Sequence, residues 1–436
     1  MKVVIRGGDI KDTSLIVPGD KSVSHRALLM SLLSAGEVRI KGLSQASDVR
    51  STRQVVEALG LVLKNDGEDI VAQGMLGEFN EPMRVLDVGN SGTLLRLVCG
   101  LLAPRANQTF FLTGDSSIVR RPMERVIEPL SAMGARIIGR ANNCFAPLAI
   151  QGAPLCGITY SMSIPSAQVK SALLLAGLSA DGETVVIESV PTRVHTEEML
   201  ASYGADIEIE DQEGVRMIRV RRSTLSIHEI DVPGDPSAAA FFLVLGALGG
   251  QRIQVDNLYL GPQRDGFINV LRTMGACFEL GNQHNGATSV TVIPSELFGI
   301  DIGPKGIPSI IDEIPILAVA AAHARGRTRF LGVEELKHKE SDRIASTLGM
   351  LGSFGIECGE LEGGFWVEGT AGAKTKPQTR VIASHFDHRI AMAGAIFGAL
   401  SCGETIIDEF ESVATSFPSF LDALGNCGIA SEIIEI

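Results

Sequence analysis

The chain has 436 residues, of which 45% are hydrophobic, and its formal net charge at pH 7 is −13. This length supports two domains with separate cores rather than one. The acidic balance argues against nucleic-acid binding, which depends on basic surfaces that face phosphates. A small anionic ligand would need a locally basic pocket.

Cysteine usage and hydropathy indicate the compartment. The seven cysteines form no CxxC pair, and we expect them to be reduced core residues. The first residues lack the apolar segment of a signal peptide. The longest apolar run, Ala238 to Gly250, is shorter than the roughly 20 residues that cross a bilayer. We therefore expect a cytoplasmic protein with no membrane partner.

The chain repeats one unit six times. The sequence VPGD at Val17 returns at Val232, each time followed by a serine and an apolar helix. Within each half of the chain the unit recurs twice more, which is the signature of an internal repeat. The predicted apolar helices begin near Ser22, Asn90, Ser166, Ser237, Asp312 and His388.

Each apolar helix is followed by a strand, such as GETVVIESV, and by a second helix, such as INVLRTMGACF. The second helix is amphipathic and ends in a glycine-containing stop. The first is apolar on nearly all sides and must be buried. The pattern predicts an α/β protein of two similar lobes. Helix starts that point into one cleft would suit phosphates and carboxylates, although the repeats could also serve folding alone.

The first apolar helix begins with an unusual charge pattern. Asp20 and Ser22 are good N-caps, whereas Lys21 and Arg26 bring positive charge to the positive end of the helix dipole. A bound anion would offset that repulsion. Solvated side chains with carboxylate partners are the alternative.

The second helix start carries a small-residue turn. Asn90 and Ser91 can cap the helix, and Gly92 allows a ligand to approach the backbone closely. A purely structural turn is equally compatible. Further on, Arg121 precedes Pro122, which we expect in the first turn of the next helix. An arginine there also indicates an anion or an acidic partner.

The next two helix starts carry uncharged polar groups and a carboxylate. Ser166, Ala167 and Gln168 bring a hydroxyl and an amide to the third start, where plain capping is the simpler interpretation of Ser166. Asp312 precedes the fifth apolar helix, and a simple cap is again the competing interpretation.

The remaining candidates lie near the end of the chain. Lys339, Glu340 and Arg343 belong to a dense charge run, which is usually a solvated face. His388 and Arg389 open the sixth apolar helix, where an arginine has no local explanation.

Basic residues concentrated in an acidic protein imply a ligand with several negative charges. Asp312 and Glu340 beside them are candidates for general acid–base catalysis. No metal-ligand spacing, GxGxxG, GxxxxGK[ST] or GxSxG motif is present, so we expect no metal and no cofactor.

The whole chain resembles the 5-enolpyruvylshikimate-3-phosphate synthases of the enolpyruvyl transferase family. The resemblance rests on motifs in the family's order: PGDKSVSHRALL, GNSGTLLRL, RRPM, PSAQVKSA, TRVHTE, DVPGDPS, IDEIPILAVAAA, KESDRI and DHRIAM. It implies two lobes of three inverse βαβαββ-type units each, with the active site in the interlobe cleft. The N-terminal lobe would span 20–232, and the C-terminal lobe would combine 1–19 with 233–436.

The resemblance also implies a reaction, in which the enolpyruvyl group of phosphoenolpyruvate moves to the 5-hydroxyl of shikimate 3-phosphate through a tetrahedral adduct, with release of phosphate. Shikimate 3-phosphate would be held by Lys21, Ser22, Arg26, Ser166, Ala167, Gln168, Arg193, Asp312 and Lys339. Phosphoenolpyruvate would be held by Lys21, Gly92, Arg121, Gln168, Glu340, Arg343 and Arg389. The candidate catalytic residues are Lys21, Asp312, Lys339, Glu340 and His388.

Proton transfer can be divided among these groups. Our hypothesis assigns the hydroxyl proton to Asp312, assisted by Lys339. Glu340 and Lys21 would serve the methylene carbon and the departing phosphate. We expect a monomer that acts on small molecules.

Two residues give opposite indications about glyphosate, an inhibitor of this family. Thr415 stands where many members carry a lysine, as in a subgroup that includes tolerant enzymes. Gly92, however, goes with sensitivity. The sequence therefore predicts neither outcome.

Two other functions compete with this one. The related transferase that acts on UDP-N-acetylglucosamine should show a Lys-Asn pair at the first helix and a reactive cysteine before the position of Arg121. This chain has Lys21-Ser22 and no cysteine in GDSSIVRRPM. A non-catalytic anion-binding repeat protein would leave Asp312 and Glu340 without a purpose.

Overall fold

The computed structural model describes residues 1–212, 214–283, 286–373 and 376–434. The chain divides into two compact units. The N-terminal unit is Gly19–Val232, and the C-terminal unit combines Met1–Pro18 with Pro233–Ile436. Within the described ranges, no helix has the length and apolar character needed to cross a membrane.

Strands and helices alternate along the chain. The strands are β1 (Lys2–Arg6), β2 (Thr13–Ile16), β3 (Glu37–Lys41), β4 (Val62–Asp66), β5 (Asp69–Gln73), β6 (Leu86–Asp87), β7 (Thr109–Thr113), β8 (Arg136–Gly139), β9 (Phe145–Gln151), β10 (Thr159–Ser161), β11 (Glu183–Glu188), β12 (Ile207–Gln212), β13 (Val215–Arg221), β14 (Glu229–Asp231), β15 (Ile253–Tyr259), β16 (Cys277–Leu280), β17 (Ala287–Ile293), β18 (Asp301–Ile302), β19 (Arg325–Leu331), β20 (Cys358–Leu361), β21 (Gly364–Thr370), β22 (Arg380–Ile382), β23 (Glu404–Ile407) and β24 (Ala430–Ile434). The helices are α1 (Lys21–Ser31), α2 (Ser47–Ala58), α3 (Gly92–Leu102), α4 (Glu124–Ala132), the single turn α5 (Arg140–Asn143), α6 (Ala167–Gly177), α7 (His195–Ser202), α8 (Pro236–Gly249), α9 (Gly266–Thr273), α10 (Ile314–His323), α11 (Arg343–Ser353), α12 (His388–Ala399) and α13 (Phe420–Asn426). Short 3₁₀ segments cover Ile118–Arg120, Pro304–Ser309, Glu334–His338 and Phe410–Thr415.

The strands form four-stranded sheets that share one topology. The orders are β14-β3-β5-β4, β6-β7-β9-β8 and β10-β11-β13-β12 in the N-terminal unit, and β16-β17-β15-β2, β18-β19-β21-β20 and β22-β23-β1-β24 in the C-terminal unit. In each sheet one edge strand pairs in parallel and the other pairings are antiparallel.

The chain order in the second repeat is β6-α3-β7-α4-β8-α5-β9, which is a βαβαββ unit apart from the single turn α5 between its last two strands. Strands distant in sequence complete three of the sheets. Strand β14 pairs with β3, while β1 and β2 enter sheets of the C-terminal unit. The six-repeat α/β fold predicted from the sequence is confirmed.

The first helix of each repeat is buried, as its composition predicts. Every residue of α12 is buried, and so is α8 from Pro236 to Ala247. Helices α8, α10 and α12 pack on one another in the C-terminal unit, and α3 packs on α6 in the N-terminal unit. Because these helices are largely apolar and buried, their charged side chains lie within the first two turns.

The second helices are half-buried and end as predicted. The glycine after each of them has a positive φ, the conformation that closes a helix and suits glycine best. These residues are Gly60, Gly134, Gly204, Gly275, Gly355 and Gly428.

Two local predictions are wrong. Helix α4 begins at Glu124, so Pro122 lies before the helix rather than in its first turn. The cysteines are all free thiols, but only Cys99 and Cys427 are buried. Cys144, Cys358 and Cys402 are partly buried, and Cys156 and Cys277 are exposed. Cys156 lies in the loop between β9 and β10, and Cys277 begins the edge strand β16, so neither faces a buried layer.

The contact between α3 and α6 requires a glycine. A Cβ atom at Gly100 would lie 2.1 Å from the carbonyl oxygen of Ala172 on α6. Backbone atoms cannot move aside as a flexible side chain would. The two helices therefore touch at a point where any side chain would separate them.

We expect Gly100→Ala to lower stability by about 1–3 kcal/mol, because the clash outweighs the better helix propensity of alanine. Gly349→Ala is the matched control. Gly349 lies inside α11, is exposed and has open space around it, so this variant should gain about 0.5–1 kcal/mol. Urea unfolding midpoints measure both effects. Equal midpoints for the two variants would contradict the close contact.

Candidate active site

In the N-terminal unit the starts of α1, α3 and α6 meet. The Nε2 atom of His25 on α1 lies 3.3 Å from the Oγ atom of Ser91, the N-cap of α3. Gln168 on α6 donates from Nε2 to Thr93 Oγ1 on α3 over 3.0 Å. Because each helix start carries a positive partial charge, their meeting point favours anions.

Arg26 is fixed within this group of helix starts. Its side chain is buried, at 3% exposure. Nε donates to Thr196 Oγ1 on α7 and Nη2 to Ser171 Oγ on α6, both over 2.7 Å, and Nη1 donates to the carbonyl oxygen of Ser22 over 2.9 Å. These bonds hold the guanidinium plane in one orientation, as a bidentate phosphate contact requires.

At the beginning of α1, one of the two predicted N-caps is confirmed and the other is wrong. Asp20 is the N-cap, because its Oδ1 accepts from the amide of Val23 over 2.9 Å. Ser22 is the second helical residue and is not a cap. Lys21 Nζ lies 3.0 Å from Asp48 Oδ2, so the predicted carboxylate partner exists.

Two arginines lie over the start of α3. A Cβ atom at Gly92 would be 2.9 Å from Arg121 Nη1 and 3.0 Å from Arg96 Nη1. Arg121 donates to Asn90 Oδ1 over 3.3 Å. Arg96 donates to Gln168 Oε1 over 2.5 Å. A larger residue at this position would require one or both guanidinium groups to shift away from the helix start.

Three other predicted residues lie at the starts of α6 and α7. Ser166 caps α6 by accepting from the amide of Val169 over 3.4 Å, as the simpler interpretation proposed, and Ala167 is the first helical residue. Arg193 is half-buried and lies two residues before α7, the helix that supplies Thr196 to Arg26.

The C-terminal unit has the same arrangement at α8, α10 and α12. Ser237 on α8 donates from Oγ to Glu313 Oε1 at the start of α10. Arg389 on α12 donates from Nη1 to the carbonyl oxygen of Asp312 over 2.8 Å and lies 3.8 Å from Glu313 Oε1. The arginine that the sequence left unexplained therefore joins α12 to the start of α10.

Arg343 is the centre of this second group. It is 1% exposed, and it contacts Asp387 Oδ2 at 2.8 Å, Glu340 Oε2 at 2.5 Å and Asp312 Oδ1 at 3.3 Å. Burial by itself would lower the pKa of Arg343, but the three carboxylates raise it above its ordinary value. The group is a permanent buried cation, so the solvated-face interpretation of this charge run is wrong at Arg343.

Asp312 does not cap α10, contrary to the simple alternative. Glu313 occupies the N-cap position, while Asp312 Oδ1 lies 3.5 Å from Lys339 Nζ. Burial lowers the pKa of Lys339, Arg343 lowers it further, and Asp312 opposes both. An amine with a lowered pKa beside a carboxylate can pass or receive a proton.

His388, the remaining catalytic candidate, is the first residue of α12 and is buried beside Arg389. Thr415 ends a 3₁₀ segment and donates to the carbonyl oxygen of Ser412 over 2.7 Å. Among the residues in the described ranges, no His, Cys, Asp and Glu side chains group together in a way that could hold a metal ion.

Several polar residues of these groups were not singled out from the sequence. Arg96 follows Gly92 by one helical turn, and an arginine inside an apolar helix is a signal that could have found it. Asp387 directly precedes His388 and is fully buried. Ser171 and Thr196 carry no such signal, because hydroxyl residues are common in helices.

The buried imidazole of His25 makes stability depend on pH. Burial lowers the pKa of His25 well below its ordinary value, and Lys21 and Arg26 lower it further. The unfolded chain binds a proton on this residue below about pH 6.5, whereas the folded chain does not. Acidification therefore favours unfolding in the window from that pH down to the lowered folded pKa.

We expect the wild-type protein to lose stability more steeply than His25→Gln as the pH falls from about 7 to 5, because the variant lacks this proton uptake. Urea midpoints at several pH values measure the difference. His338→Gln, at an exposed position, is the control and should follow the wild type. Parallel profiles for the wild type and His25→Gln would exclude the effect.

Comparisons with known proteins agree with this geometry. The sequence profile of the EPSP synthase (3-phosphoshikimate 1-carboxyvinyltransferase) family matches residues 6–424. A 3-phosphoshikimate 1-carboxyvinyltransferase of Synechocystis sp. is 44% identical over 94% of this chain and 92% of the relative. One from Anaeromyxobacter sp. is 43% identical over 94% of this chain and 95% of the relative.

Solved structures give the same result. EPSP synthase from Acinetobacter baumannii superposes with a TM-score of 0.85 at 35% identity, over 99% of this chain and 100% of that one. The enolpyruvyl transferase NikO from Streptomyces tendae shares the fold, with a TM-score of 0.78 at 17% identity over 99% of this chain and 98% of that one. The chain belongs to the EPSP synthase family.

Proposed function

We propose that this protein transfers the enolpyruvyl group of phosphoenolpyruvate to the 5-hydroxyl of shikimate 3-phosphate and releases phosphate. The observation that carries the proposal is the contact set of Arg343, a buried cation in touch with Asp312, Glu340 and Asp387. These contacts bring Asp312 and Glu340, the two candidate acid–base carboxylates, to Arg343, a candidate anion-binding residue. The names of the relatives support the same activity.

The anionic groups of the substrates fit the basic residues of both units. In the N-terminal unit, Arg26 presents an oriented guanidinium group, and Arg121 lies over the start of α3. In the C-terminal unit, Arg343 and Arg389 suit the carboxylate and phosphate of phosphoenolpyruvate. We propose that each substrate uses the residues that the family resemblance assigns to it, and that the two units are the two expected lobes.

The reaction needs three proton transfers and the exchange of a phosphate ester bond for an ether bond at C2. Asp312, with Lys339 beside it, accepts the proton of the 5-hydroxyl as its oxygen attacks C2 of phosphoenolpyruvate. Glu340 delivers a proton to C3, which gives the tetrahedral adduct. Glu340 then takes a proton back from C3, the C2–C3 double bond re-forms, and the bond from C2 to the phosphate oxygen breaks. Lys21 and the arginines stabilise the charge of the departing phosphate.

The surroundings of Asp312 support this role. Its Oδ1 lies 3.5 Å from Lys339 Nζ and 3.3 Å from Arg343 Nη1, so the carboxylate has an amine beside it with which it can exchange a proton. Its carbonyl oxygen independently holds Arg389. A change confined to the side chain therefore leaves the arginine in place. We further propose a cytoplasmic monomer without nucleic-acid partners.

We expect Asp312→Asn to keep shikimate 3-phosphate binding and to lower kcat by about tenfold or more, because an amide cannot accept the hydroxyl proton. Isothermal titration measures the binding and phosphate release measures kcat. Asp422→Asn, an exposed change on α13, is the control. A variant with unchanged kcat would remove Asp312 from the chemistry.

The activity itself is tested by phosphate release from a mixture of shikimate 3-phosphate and phosphoenolpyruvate. Parallel samples contain each substrate alone, or UDP-N-acetylglucosamine in place of the shikimate compound. We expect release only with both proposed substrates. Release only with the nucleotide sugar would identify a different acceptor, and no release from folded protein would favour the binding-protein alternative.

A further inference from the structure

The segment Ser384–Asp387 connects β22 to α12 through strained backbone. His385 and Phe386 have φ values of 54° and 56°, and both side chains are exposed. Left-handed backbone costs free energy for any residue other than glycine, and two such residues in succession are unusual. Strain of this kind persists only where surrounding contacts hold it.

Glu409 supplies those contacts. Its Oε2 accepts from the amide of Phe386 over 3.3 Å and lies 3.4 Å from Ser384 Oγ. Ser384 Oγ also lies 3.5 Å from the carbonyl oxygen of Glu409, and Glu409 itself has a φ of 56°. The amide of Asp387 returns to the carbonyl oxygen of Ser384 over 3.0 Å.

Asp387 is the last residue of this segment, and it orients Arg343, the central residue of the C-terminal group. It is fully buried, and its Oδ2 accepts from Arg343 Nε over 2.8 Å and from Ser341 Oγ over 3.1 Å. Its Oδ1 caps α12 by accepting from the amide of Arg389 over 3.0 Å. A shift of Asp387 would therefore move Arg343 and the start of α12 together.

We propose that Glu409 is a positioning residue, which holds the strained Ser384–Asp387 segment so that Asp387 orients Arg343 toward phosphoenolpyruvate. The inference rests on the proposed function, since Arg343 is assigned to that substrate. Glu409 touches no reacting atom, and it acts through a hydrogen-bonded chain of four residues. Phosphoenolpyruvate affinity should therefore respond to Glu409 more strongly than shikimate 3-phosphate affinity does.

The test compares Glu409→Ala with Glu409→Gln and with Glu411→Ala. Glutamine keeps an oxygen that can accept from Phe386 and Ser384, so it should rescue the alanine defect. Glu411 belongs to the same 3₁₀ segment but pairs with the amino terminus over 2.9 Å, so its loss removes the same charge without touching the strained segment. All proteins are assayed by phosphate release with each substrate varied in turn.

We expect Glu409→Ala to raise the KM for phosphoenolpyruvate by about tenfold or more and the KM for shikimate 3-phosphate by less than about threefold, since misplaced binding groups cost rate steeply. Glu409→Gln and Glu411→Ala should stay near the wild type. Adding Phe386→Asn to Glu409→Ala should recover part of the loss, because asparagine tolerates left-handed backbone.

Three results would overturn the inference: the same KM values in Glu409→Ala and Glu411→Ala, equal rises for both substrates, or a Glu409→Gln variant as impaired as Glu409→Ala. Melting temperatures of each variant separate general unfolding from a local shift. If the wild type releases no phosphate at all, the proposed function fails first. If the wild type is active and Glu409→Ala matches it, only the inference fails.

Discussion

The convergence of buried helix starts is the constraint on which the rest of this structure depends. Three apolar helices in each unit must be buried along their length. The backbone amides at their starts have no partner within the helix, so the starts lie where polar groups can bind them. Each start carries roughly half a positive charge. Three of them together need oxygen atoms. The chain supplies capping carboxylates and hydroxyls at five of the six starts, namely Asp20, Ser91, Ser166, Asp235 and Asp387. At the sixth, the start of α10, Glu313 is the N-cap residue but its side chain makes no capping bond.

The two units satisfy this need with different chemistry. In the N-terminal unit, Arg26 is held by hydroxyl and carbonyl oxygens, and Arg96 by an amide oxygen. In the C-terminal unit, Arg343 is held by carboxylates. Neutral partners orient an arginine without adding a charge of their own. Carboxylate partners instead place candidate acid–base groups beside the cation. One unit is thus suited to binding anions and the other to moving protons as well.

Repetition explains why so many strained and crowded positions recur. The same βαβαββ unit places a left-handed glycine after the second helix of each repeat. The contact of Gly100 with Ala172 shows how closely the buried helices pack. Left-handed residues other than glycine occur at several described positions, and three of them lie beside the candidate site. His385, Phe386 and Glu409 are left-handed without being glycine, and together they support Asp387. Such positions are kept where the surrounding contacts, rather than the local sequence, decide the conformation.

The sequence by itself determined the repeats, the buried helices with their starts, and the glycine stops. Each of these follows from periodicity or from a cap within one or two turns, so neighbours in sequence carry the whole signal. It also pointed to Arg26, Arg343 and Arg389, because cations at helix starts conflict with the helix dipole.

Only the tertiary structure decided which side chains contact each other and which strands pair. The residues next to Asp312 in the sequence predict that it caps a helix, but its side chain contacts Lys339 and Arg343 instead. Strands β1, β2 and β14 complete sheets far from them in sequence. His25, Thr196 and Glu409 gain their roles from residues that packing brings close. Pairings of this kind depend on how helices and sheets stack, and no local pattern in the chain encodes them.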